Sequence, residues 1–387
     1  MSIKKKILLT SLSGQLGGLE LRLANEARFL NRIGYSSELA LNPFPQIAPW
    51  VEQLTQEGLL FKYFSPPSFF EEWEWRRINK IRADLFYKNY YLLRDADLVH
   101  VAMAWTETVG TRLWLAYRCN LPAVISVHNA FPYHQFTSWH EDILSEAFQV
   151  VRGIYAVSDS ALQFFLKTFN KFIPSNCLLE VIYNPIDTRI YKPSAQDGCR
   201  LKAKLGISSD AFVIGAVGRL DVQKQPELLI DVFSALKKRF SQLVLVLVGQ
   251  GRLENNCKKK VEDLGLSDSV YFLGQRNDIC EIIPVFDLHV LLSKREGFGI
   301  ATAEAMACSV PVIASDVPGS KDILQNSKAG ILVPLDDFDS IVDRISELIV
   351  NHALRRSMSE AGPKEVGQRF ALEVIEEQLK QFYQAVL

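Results

Sequence analysis

Short apolar runs alternate with longer amphipathic segments along the whole chain, and this alternation restricts the fold more than any other feature. The runs have the length of buried strands, and the segments between them repeat with the 3.6-residue period of helices. Such an alternation predicts parallel, doubly wound sheets of the α/β class. The thirteen predicted strands are Lys6–Thr10, Ser37–Leu41, Leu59–Phe64, Leu98–Val101, Ala123–Val127, Gly153–Val157, Glu180–Tyr183, Phe212–Val217, Leu243–Val248, Val270–Leu273, Leu288–Leu292, Val310–Ala314 and Gly330–Val333.

Thirteen strands are too many for one such sheet, so we expect two sheets in two domains, which also suits a length of 387 residues. The stretch NPIDTRIYKP at 184–193 contains two prolines and follows a predicted strand. We therefore assign residues 1–190 to the first domain and 191–367 to the second. The last segment, 368–387, has apolar residues at helical spacing, beginning at Val374, and predicts a final helix.

Balanced charge and the lack of leader or membrane signals narrow the class of protein. The chain has 43 Lys and Arg residues and 44 Asp and Glu residues, and neither half carries the excess of positive charge typical of a nucleic-acid binder, so no nucleic-acid partner is expected. The six cysteines show no zinc-ligand spacing and predict reduced thiols. The first apolar run breaks at Ser11 and Ser13, too early for a signal peptide, and no run reaches the ~18 residues of a membrane span. We expect a cytoplasmic protein.

Glycines follow the first predicted strand, at the sheet edge where α/β folds bind ligands. Gly14, Gly17 and Gly18 form a turn, and a helix begins near Leu19. Helix N-termini attract anions, so this turn could contact a phosphate, although a plain turn into a helix is the alternative. The spacing is not GxGxxG, and no acidic residue follows the second strand, which argues against a nicotinamide dinucleotide.

Three more polar side chains follow strands at this kind of edge. His128 comes directly after Ala123–Val127 and could hydrogen-bond a substrate, although a lone histidine is more often structural. Arg219 and Lys224 come just after Gly218 and a strand, beside a predicted helix start. An arginine fork and a lysine point charge suit a diphosphate, with a solvated surface pair as the alternative.

Two carboxylates, Glu296 and Glu304, flank a turn formed by Gly297 and Gly299. Glu304 is predicted inside the helix that follows and Glu296 before it, so the two cannot form one tight acid–base pair. Carboxylates accept from hydroxyls, and N–H groups at a helix start suit a sugar oxygen or a phosphate, so the stretch indicates a polyol-phosphate site. The N–H groups concerned belong to Phe298, Gly299 and Ile300.

Two groups of aspartates are predicted to be structural. Asp95 and Asp97 form a D-x-D triplet, but it precedes a strand and so lies at the edge away from the ligands. Asp336, Asp337 and Asp339 are predicted to cap a helix N-terminus. The histidines show no metal-ligand spacing, and no metal site is predicted.

The segment Phe61–Arg94 is rich in aromatic residues interleaved with arginine and lysine. Such a mixture can lie in a membrane interface, or it can stack on acceptor sugars. Ordinary helix packing with a covering loop is the third interpretation. Contact with the inner face of a membrane through this segment is a hypothesis that binding to anionic liposomes can test.

Together these residues resemble the nucleotide-sugar-dependent glycosyltransferases of family 4, and the resemblance covers nearly the whole chain. EGFG followed by a glutamate, paired with an upstream GRLxxxK, is its most specific part. Ser309 is a departure, because glycine is common there in the family. The matching motifs are GGLE at Gly17–Glu20, SVHN at Ser126–Asn129, VIYNPID before the second domain, GRLxxxK at Gly218–Lys224, LVLVGQG at Leu245–Gly251, VYFLG at Val270–Gly274, EGFGIATAEAMAC at Glu296–Cys308 and PVIASDVPG at Pro311–Gly319.

The resemblance implies a GT-B fold, in which two Rossmann-like domains face each other across a cleft. The first domain would bind the acceptor and the second the donor, with the final helix, 368–387, packed back on the first. The family retains anomeric configuration and usually works without a bound catalytic metal, so no cofactor is implied beyond the nucleotide-diphosphate sugar as co-substrate. The acceptor would be a glycan, a glycolipid or a small molecule, in cell-surface polysaccharide or glycoconjugate synthesis.

The resemblance also implies roles for single residues. Arg219 and Lys224 would bind the donor diphosphate, with UDP and GDP as the expected nucleotides. Glu304 would hold the ribose hydroxyls, and Glu296 the sugar. His128 would lie beside that sugar, and it completes the expected catalytic set with Arg219, Lys224 and Glu296. The other donor-binding residues implied are Gly17, Gly18, Gly218, Gly274, Arg276, Gly297, Phe298, Gly299 and Ile300.

The predicted activity is therefore retaining transfer of a sugar from a nucleotide-diphosphate donor to a hydroxyl. An epimerase or phosphorylase on the same two-domain plan is one alternative. A catalytically silent donor-binding subunit that serves a partner enzyme is another. The presence of Arg219, Lys224, Glu296 and Glu304 argues against the silent subunit, because such a subunit has no need of all four.

Overall fold

The computed structural model describes residues 4–12, 14, 16–45, 47–70, 74–89, 95–103, 105 and 109–387. The chain divides into two compact units. The first comprises Met1–Tyr183 and Glu376–Leu387, and the second comprises Asn184–Ile375. Each unit is built around a parallel β-sheet of its own.

Within the described part of the first unit, seven parallel strands form a sheet in the order β3-β2-β1-β4-β5-β6-β7. The order reverses between β1 and β4, and ligands bind beyond the carboxyl ends of strands at such a point. The strands are β1 Lys6–Ser11, β2 Ser36–Leu41, β3 Leu60–Tyr63, β4 Leu98–Met103, β5 Ala123–Val127, β6 Val151–Ala156 and β7 Leu178–Val181. The helices between them are α1 Gly18–Arg32, α2 Ile47–Gln56, α3 Arg76–Asn89, α4 Gly110–Arg118, α5 Ser138–Ala147 and α6 Asp159–Phe169.

Among the described residues of the second unit, six parallel strands form a sheet in the order β10-β9-β8-β11-β12-β13. The order again reverses beside the first strand, here between β8 and β11. The strands are β8 Phe212–Val217, β9 Leu243–Val248, β10 Val270–Phe272, β11 Leu288–Leu291, β12 Val312–Ser315 and β13 Gly330–Val333. The helices are α7 Ala195–Lys204, α8 Pro226–Lys237, α9 Glu254–Asp263, α10 Ile279–Ile282, α11 Ile300–Ala307, α12 Ser320–Leu324, α13 Phe338–Val350 and α14 His352–Arg369.

The last helix, α15 (Leu372–Val386), belongs for most of its length to the first unit. Its buried stripe there is Leu379, Phe382, Tyr383 and Val386. Val374, predicted to start the apolar stripe, is only half-buried, whereas Ile375 is fully buried, so the stripe begins one residue later than predicted. Gly153 of β6 permits the close contact of α15, because a Cβ there would lie 2.7 Å from Val386 and 2.8 Å from Phe382.

The two sheets confirm the predicted doubly wound α/β class. In the described chain every predicted strand is present, and no end differs from its prediction by more than two residues. Pro311 explains one such difference. Proline has no N–H to donate to a strand ladder, so β12 begins at Val312 instead of Val310.

Side chains at element ends behave as local chemistry predicts. Asp337 caps α13, since its carboxylate accepts from the Ser340 N–H at 2.9 Å. Asp97 accepts from the Lys6 N–H at 2.7 Å at the amino end of β1, which agrees with a structural role for the D-x-D triplet. Ser309 adopts a left-handed φ of +61°, a conformation that favours the glycine common in the family.

Candidate active site

The loop after β8 presents Arg219 and Lys224 at the carboxyl edge of the second sheet. Asp221 organises this loop, because its carboxylate accepts from the N–H groups of Gln223 and Lys224 at 3.0 and 3.2 Å. Arg219 pairs with the same aspartate at 3.1 Å, and 55% of its side chain stays exposed. The loop therefore holds an accessible guanidinium just before the start of α8.

An ion pair between Lys224 and Glu296 joins the loops that follow β8 and β11. Lys224 Nζ lies 2.5 Å from Glu296 Oε1, and only 20% and 7% of the two side chains are exposed. The Lys294 N–H donates to the Gln223 carbonyl at 2.7 Å, and Gln223 Nε2 donates to the Arg295 carbonyl at 2.9 Å. The residues predicted to bind diphosphate and sugar are thus adjacent, and their charges compensate each other.

Glycines let neighbouring loops pack closely against the loops that follow β8 and β11. A Cβ on Gly249, after β9, would collide with the carbonyl oxygen of Gly218. A Cβ on Gly319, after β12, would lie 2.7 Å from the carbonyl oxygen of Glu296, and its φ of +80° also favours glycine. The motifs LVLVGQG and PVIASDVPG therefore position the backbone of the site.

Glu304 lies on α11, which begins after Gly299 in a left-handed conformation with φ +95°. N–H groups in the first turn of a helix have no partner within it, so this end suits an oxygen ligand. The Glu304 side chain keeps some exposed surface, yet burial raises its pKa to about 7, and a hydrogen bond with Tyr191 partly opposes that rise. Near neutral pH the group is therefore balanced between carboxylate and acid.

Two residues predicted to bind the nucleotide-sugar donor have side chains that contact other protein residues. Phe298 is buried and packs edge-on against Phe370, with ring centroids 5.1 Å apart, so its backbone alone is available to a ligand. Arg276 pairs with Asp278 through Nε to Oδ1 at 2.8 Å and Nη2 to Oδ2 at 2.5 Å. Arg276 and Asp278 come shortly after Gly274 in the chain. The Gly274 carbonyl accepts from the Gly249 N–H, in the loop after β9, at 2.8 Å.

At the carboxyl edge of the first sheet, Gly17 and Gly18 open α1. Gly17 directly precedes the helix, and its N–H donates to Glu20 Oε2 at 2.8 Å. Glu20 is buried, so an anion at this helix start would meet a carboxylate already bound there. The geometry favours a hydroxyl over a phosphate at Gly17.

His128 follows β5 and is hydrogen-bonded to the interior of the first unit. Its Nε2 lies 2.8 Å from Ser126 Oγ, which lies 2.6 Å from Nε2 of His100. Burial lowers the pKa of His128 well below its usual value, and the charge of Arg22 lowers it further. His128 is therefore neutral at physiological pH and acts through hydrogen bonds instead of charge.

Over the described ranges, no three His, Cys, Asp or Glu side chains come together as possible metal ligands. In the same ranges no helix has both the length and the apolar character to cross a bilayer. The six cysteines, all of which lie in described segments, are free thiols.

Family models match most of the chain. Residues 16–190 match the model described as Glycosyltransferase Family 4, and residues 200–365 match the model described as Glycosyl transferases group 1. The chain belongs to glycosyltransferase family 4. It is a glycosyltransferase, as the resemblance implied, and both family descriptions name glycosyl transfer and not epimerisation.

Known proteins similar to this glycosyltransferase agree with that assignment. N-acetyl-alpha-D-glucosaminyl L-malate synthase of Bacillus anthracis is 29% identical over 339 residues, 80% of this chain and 87% of that protein. UDP-Gal:alpha-D-GlcNAc-diphosphoundecaprenol alpha-1,3-galactosyltransferase of Escherichia coli is 32% identical over 170 residues, 43% of this chain and 44% of that one. The crystal structure of Anabaena Alr3699/HepE, in complex with UDP and glucose, superposes with a TM-score of 0.81 at 23% identity, covering 98% of this chain and 100% of that chain. This likeness confirms the GT-B fold.

Several contacts of the site were not among the sequence predictions. Asp221 had a signal, because an aspartate two positions before a loop N–H commonly binds it. Glu20 had a signal too, because a glutamate three residues into a helix commonly binds an N–H at the helix start. Tyr191 and Ser126 had none that could be separated from ordinary surface or core residues. Their contacts depend on which segments the fold brings together.

Proposed function

We propose that this glycosyltransferase takes a hexose from a nucleoside diphosphate sugar and retains its anomeric configuration. The observation that carries the proposal is the Lys224–Glu296 pair in the loops beside Arg219. Arg219 and Lys224, each paired with a carboxylate on these adjoining loops, suit a diphosphate, and Glu296 suits the sugar attached to it. Glu304 would accept from the ribose hydroxyls. The UDP and glucose bound to Alr3699/HepE support a uridine nucleotide.

The chemical difficulty is the negative charge that develops on the leaving diphosphate. Arg219, Lys224 and the start of α11 would stabilise this charge, an electrostatic contribution that is often the largest in catalysis. The acceptor hydroxyl would attack C1 on the face that the diphosphate leaves, so a new C1–O bond replaces the broken one with the same configuration. The departing phosphate oxygen would take the hydroxyl proton.

A panel of UDP- and GDP-sugars tests the donor and the stereochemistry. The correct donor should raise the thermal midpoint of the protein and be slowly hydrolysed, and the first product formed should keep the anomeric configuration, read from proton NMR couplings. Arg239→Ala, which breaks an exposed ion pair with Asp343, is a control variant expected to behave as wild type. An inverted product, or no stabilisation by any nucleoside diphosphate, contradicts the proposal.

The acceptor proposed here is a lipid-linked glycan. A cavity of about 850 Å³ in the first unit lies beyond the carboxyl ends of β1, β2 and β3. Its amide, hydroxyl and guanidinium groups suit a glycan or phosphate, and its indole offers a surface for a sugar or an apolar tail. The galactosyltransferase of Escherichia coli, named for a diphosphoundecaprenol acceptor, supports this class. The lining residues are Leu12, Asn42, Ser65, Pro66, Pro67, Ser68, Trp75, Ile78, Asn79 and Arg82.

Helix α3 supports delivery of such an acceptor at a membrane surface, because its exposed face is apolar. Residues three or four apart share a helix face. The exposed basic residues Arg77 and Arg82 lie on the same helix as the apolar face. An apolar face with basic residues is typical of helices that lie on anionic bilayers. Other parts of the predicted membrane segment, 71–73 and 90–94, lie outside the described residues. The exposed apolar residues on this helix are Ile78 at 49%, Ile81 at 63% and Leu85 at 59%, and Trp75, directly before the helix, is 59% exposed.

Sedimentation with anionic phosphatidylglycerol vesicles tests this surface. The double variant Ile81→Ser/Leu85→Ser should lose vesicle binding and keep wild-type donor hydrolysis, because it leaves the charged loops of the second unit intact. Ile190→Ser/Val350→Ser removes two side chains of similar exposure from the second unit and should bind as wild type. Equal binding of the α3 variant and wild type would remove the membrane proposal.

A further inference from the structure

A chain of hydrogen bonds in the first unit runs from Glu26 on α1 to His128 at the carboxyl end of β5. Tyr383 Oη lies 2.6 Å from Glu26 Oε1 and 2.9 Å from His100 Nδ1. Ser126 Oγ lies 2.6 Å from His100 Nε2 and 2.8 Å from His128 Nε2. All members except His128 are buried, and they come from α1, β4, β5 and α15.

We infer that this chain fixes the tautomer of His128, so that the imidazole offers a bare nitrogen, not an N–H, to a hydroxyl of the bound sugar. Glu26, Tyr383, His100 and Ser126 are then positioning residues, and His128 is the residue that touches the substrate. The inference rests on the proposed function, together with the place beside the transferred sugar that the family resemblance implies for His128.

Glu26 sets the direction of the successive hydrogen bonds because its carboxylate can only accept a hydrogen bond. Its other oxygen accepts from Tyr155 at 2.6 Å and lies 3.7 Å from Arg22 Nε. A carboxylate beside a guanidinium has no proton to donate, so Tyr383 must donate its hydroxyl hydrogen to Glu26. The Tyr383 oxygen then accepts from His100, which must carry its proton on Nδ1.

The same argument passes through Ser126 to His128. Burial lowers the pKa of both histidines, so each neutral ring has one N–H. With its proton on Nδ1, His100 has a bare Nε2, and Ser126 must donate to it. Tyr155 is also a hydrogen-bond partner of Ser126. Only donation from Ser126 to His100, however, satisfies both nitrogens of the His100 ring. Ser126 Oγ then accepts from His128 Nε2–H, which leaves Nδ1 of His128 bare and without a partner among the described residues.

The tautomer matters because glycosyl transfer passes through an oxocarbenium-like sugar. A nitrogen lone pair facing this sugar places the negative end of the imidazole dipole near the developing positive charge, and it increases the electron density on the hydroxyl that it accepts from. An N–H in the same place would present the positive end. The bare Nδ1 therefore stabilises the transition state more than the substrate.

The ¹⁵N NMR spectrum of ligand-free protein labelled at histidine tests the chain directly. The variants His100→Gln and His128→Gln assign the two rings. We expect the two histidines to carry their protons on opposite nitrogens, Nδ1 in His100 and Nε2 in His128. A proton on the same nitrogen of both rings overturns the inference, whatever the activity of the protein.

Glu26→Gln should reverse the chain. Arg22 faces the Oε2 position, so the carboxamide oxygen belongs there and its NH₂ group faces Tyr383. Tyr383 then donates to His100 Nδ1, and the protons of both histidines move to the other nitrogen. We expect exchanged tautomers and a kcat lowered about ten- to hundredfold, with little change in the donor KM. The matched control is Tyr155→Phe, which removes the other phenol on Glu26 and should leave both tautomers unchanged.

The outcomes separate this inference from the proposed function. Unchanged tautomers in Glu26→Gln overturn the chain, and exchanged tautomers with an unchanged kcat overturn its link to catalysis. Should Glu26→Gln not fold, the wild-type spectrum decides the tautomers by itself. Wild-type protein that shows the expected tautomers but turns over no nucleotide sugar contradicts the proposed function, and with it the sugar contact, while the hydrogen-bond chain stands.

Discussion

The carboxyl edges of the two sheets differ in the kind of polar group that they present. In the second unit the edge carries charged side chains held by loops, since Asp221 organises the loop of Arg219 and Lys224 pairs with Glu296. In the first unit His128 is neutral, and it is linked to the buried carboxylate of Glu26 by four successive hydrogen bonds. The contrast teaches that one edge is suited to hold an anion and the other to orient hydroxyl groups.

Lys224→Ala should give the largest effect and tests the charged edge. It removes a cation from the leaving diphosphate, so we expect kcat to fall by about a thousandfold or more while the fold is kept, as circular dichroism can show. Lys260→Ala, which breaks a more exposed ion pair with Asp231 in the same unit, is the matched control. A near-normal rate in the Lys224 variant would remove the phosphate assignment.

Glu304→Gln should weaken donor binding by about ten- to hundredfold, because a hydrogen bond to a carboxylate is stronger than one to a neutral amide. The pKa of about 7 adds a pH signature. Donor affinity of the wild type should rise as the pH rises through 7, when the carboxylate replaces the acid, and the variant should lack this rise. Calorimetry with UDP measures both, and parallel pH profiles would count against the ribose role.

The raised pKa of Glu304 also predicts how the stability of the fold changes with pH, and this change runs opposite to that of donor affinity. Its folded pKa is raised above the ordinary value of 4.5, so the folded state holds more protons between these pH values. The Glu304 contribution to stability is therefore present at low pH and is lost as the pH rises towards 7. Denaturation of wild type and Glu304→Gln at pH 5 and pH 8 checks this sign.

Tyr383→Phe tests the neutral edge through stability. It leaves Glu26 and His100 buried with one hydrogen-bond partner fewer, which should cost about 1–3 kcal/mol of unfolding free energy. Tyr133 is 64% exposed, so Tyr133→Phe should change stability very little. Urea denaturation compares the two, and equal midpoints would show that the network contributes nothing to holding α15.

Arg276→Ala should have the smallest effect on turnover. The guanidinium is already occupied by Asp278, and the pair is about a third exposed, with 35% of each side chain accessible. We expect a change in kcat/KM of less than about fivefold, in line with the small energies of exposed ion pairs. A loss as large as that of Lys224→Ala would indicate that Arg276 binds the diphosphate and would add it to the charged edge of the second sheet.

Sequence reasoning worked better for the second unit than for the first. Gly218, Arg219 and Lys224 lie within one short loop, so a local motif is enough to predict that these residues lie close together. Glu296 was predicted at the sugar, and its contact with Lys224 follows from the pairing of β8 with β11. In the first unit, His128 was identified and its direct partner, Ser126, lies on the preceding strand. The other members of the hydrogen-bond chain lie on three other elements, and no local pattern marks them.

The glycine turn at Gly17 shows a second kind of limit. Its position after β1 was predicted, together with a phosphate contact at the helix start. The structure places the Glu20 carboxylate on the Gly17 N–H at 2.8 Å, and this changes which ligand the turn favours. A glutamate three residues into a helix is a common capping residue, so the signal was present in the sequence but was not used.

The sequence by itself determined the α/β class, the thirteen strands, the polar side chains at the strand ends and the charged loop that we propose binds a diphosphate. These depend on residue period, turn chemistry and short motifs, which act over a few neighbouring positions. Only the tertiary structure decided that Tyr383 meets Glu26, 357 positions away, and that His128 is linked to both. Such contacts depend on how α15 packs against the first sheet, and the local pattern of neither segment contains that information.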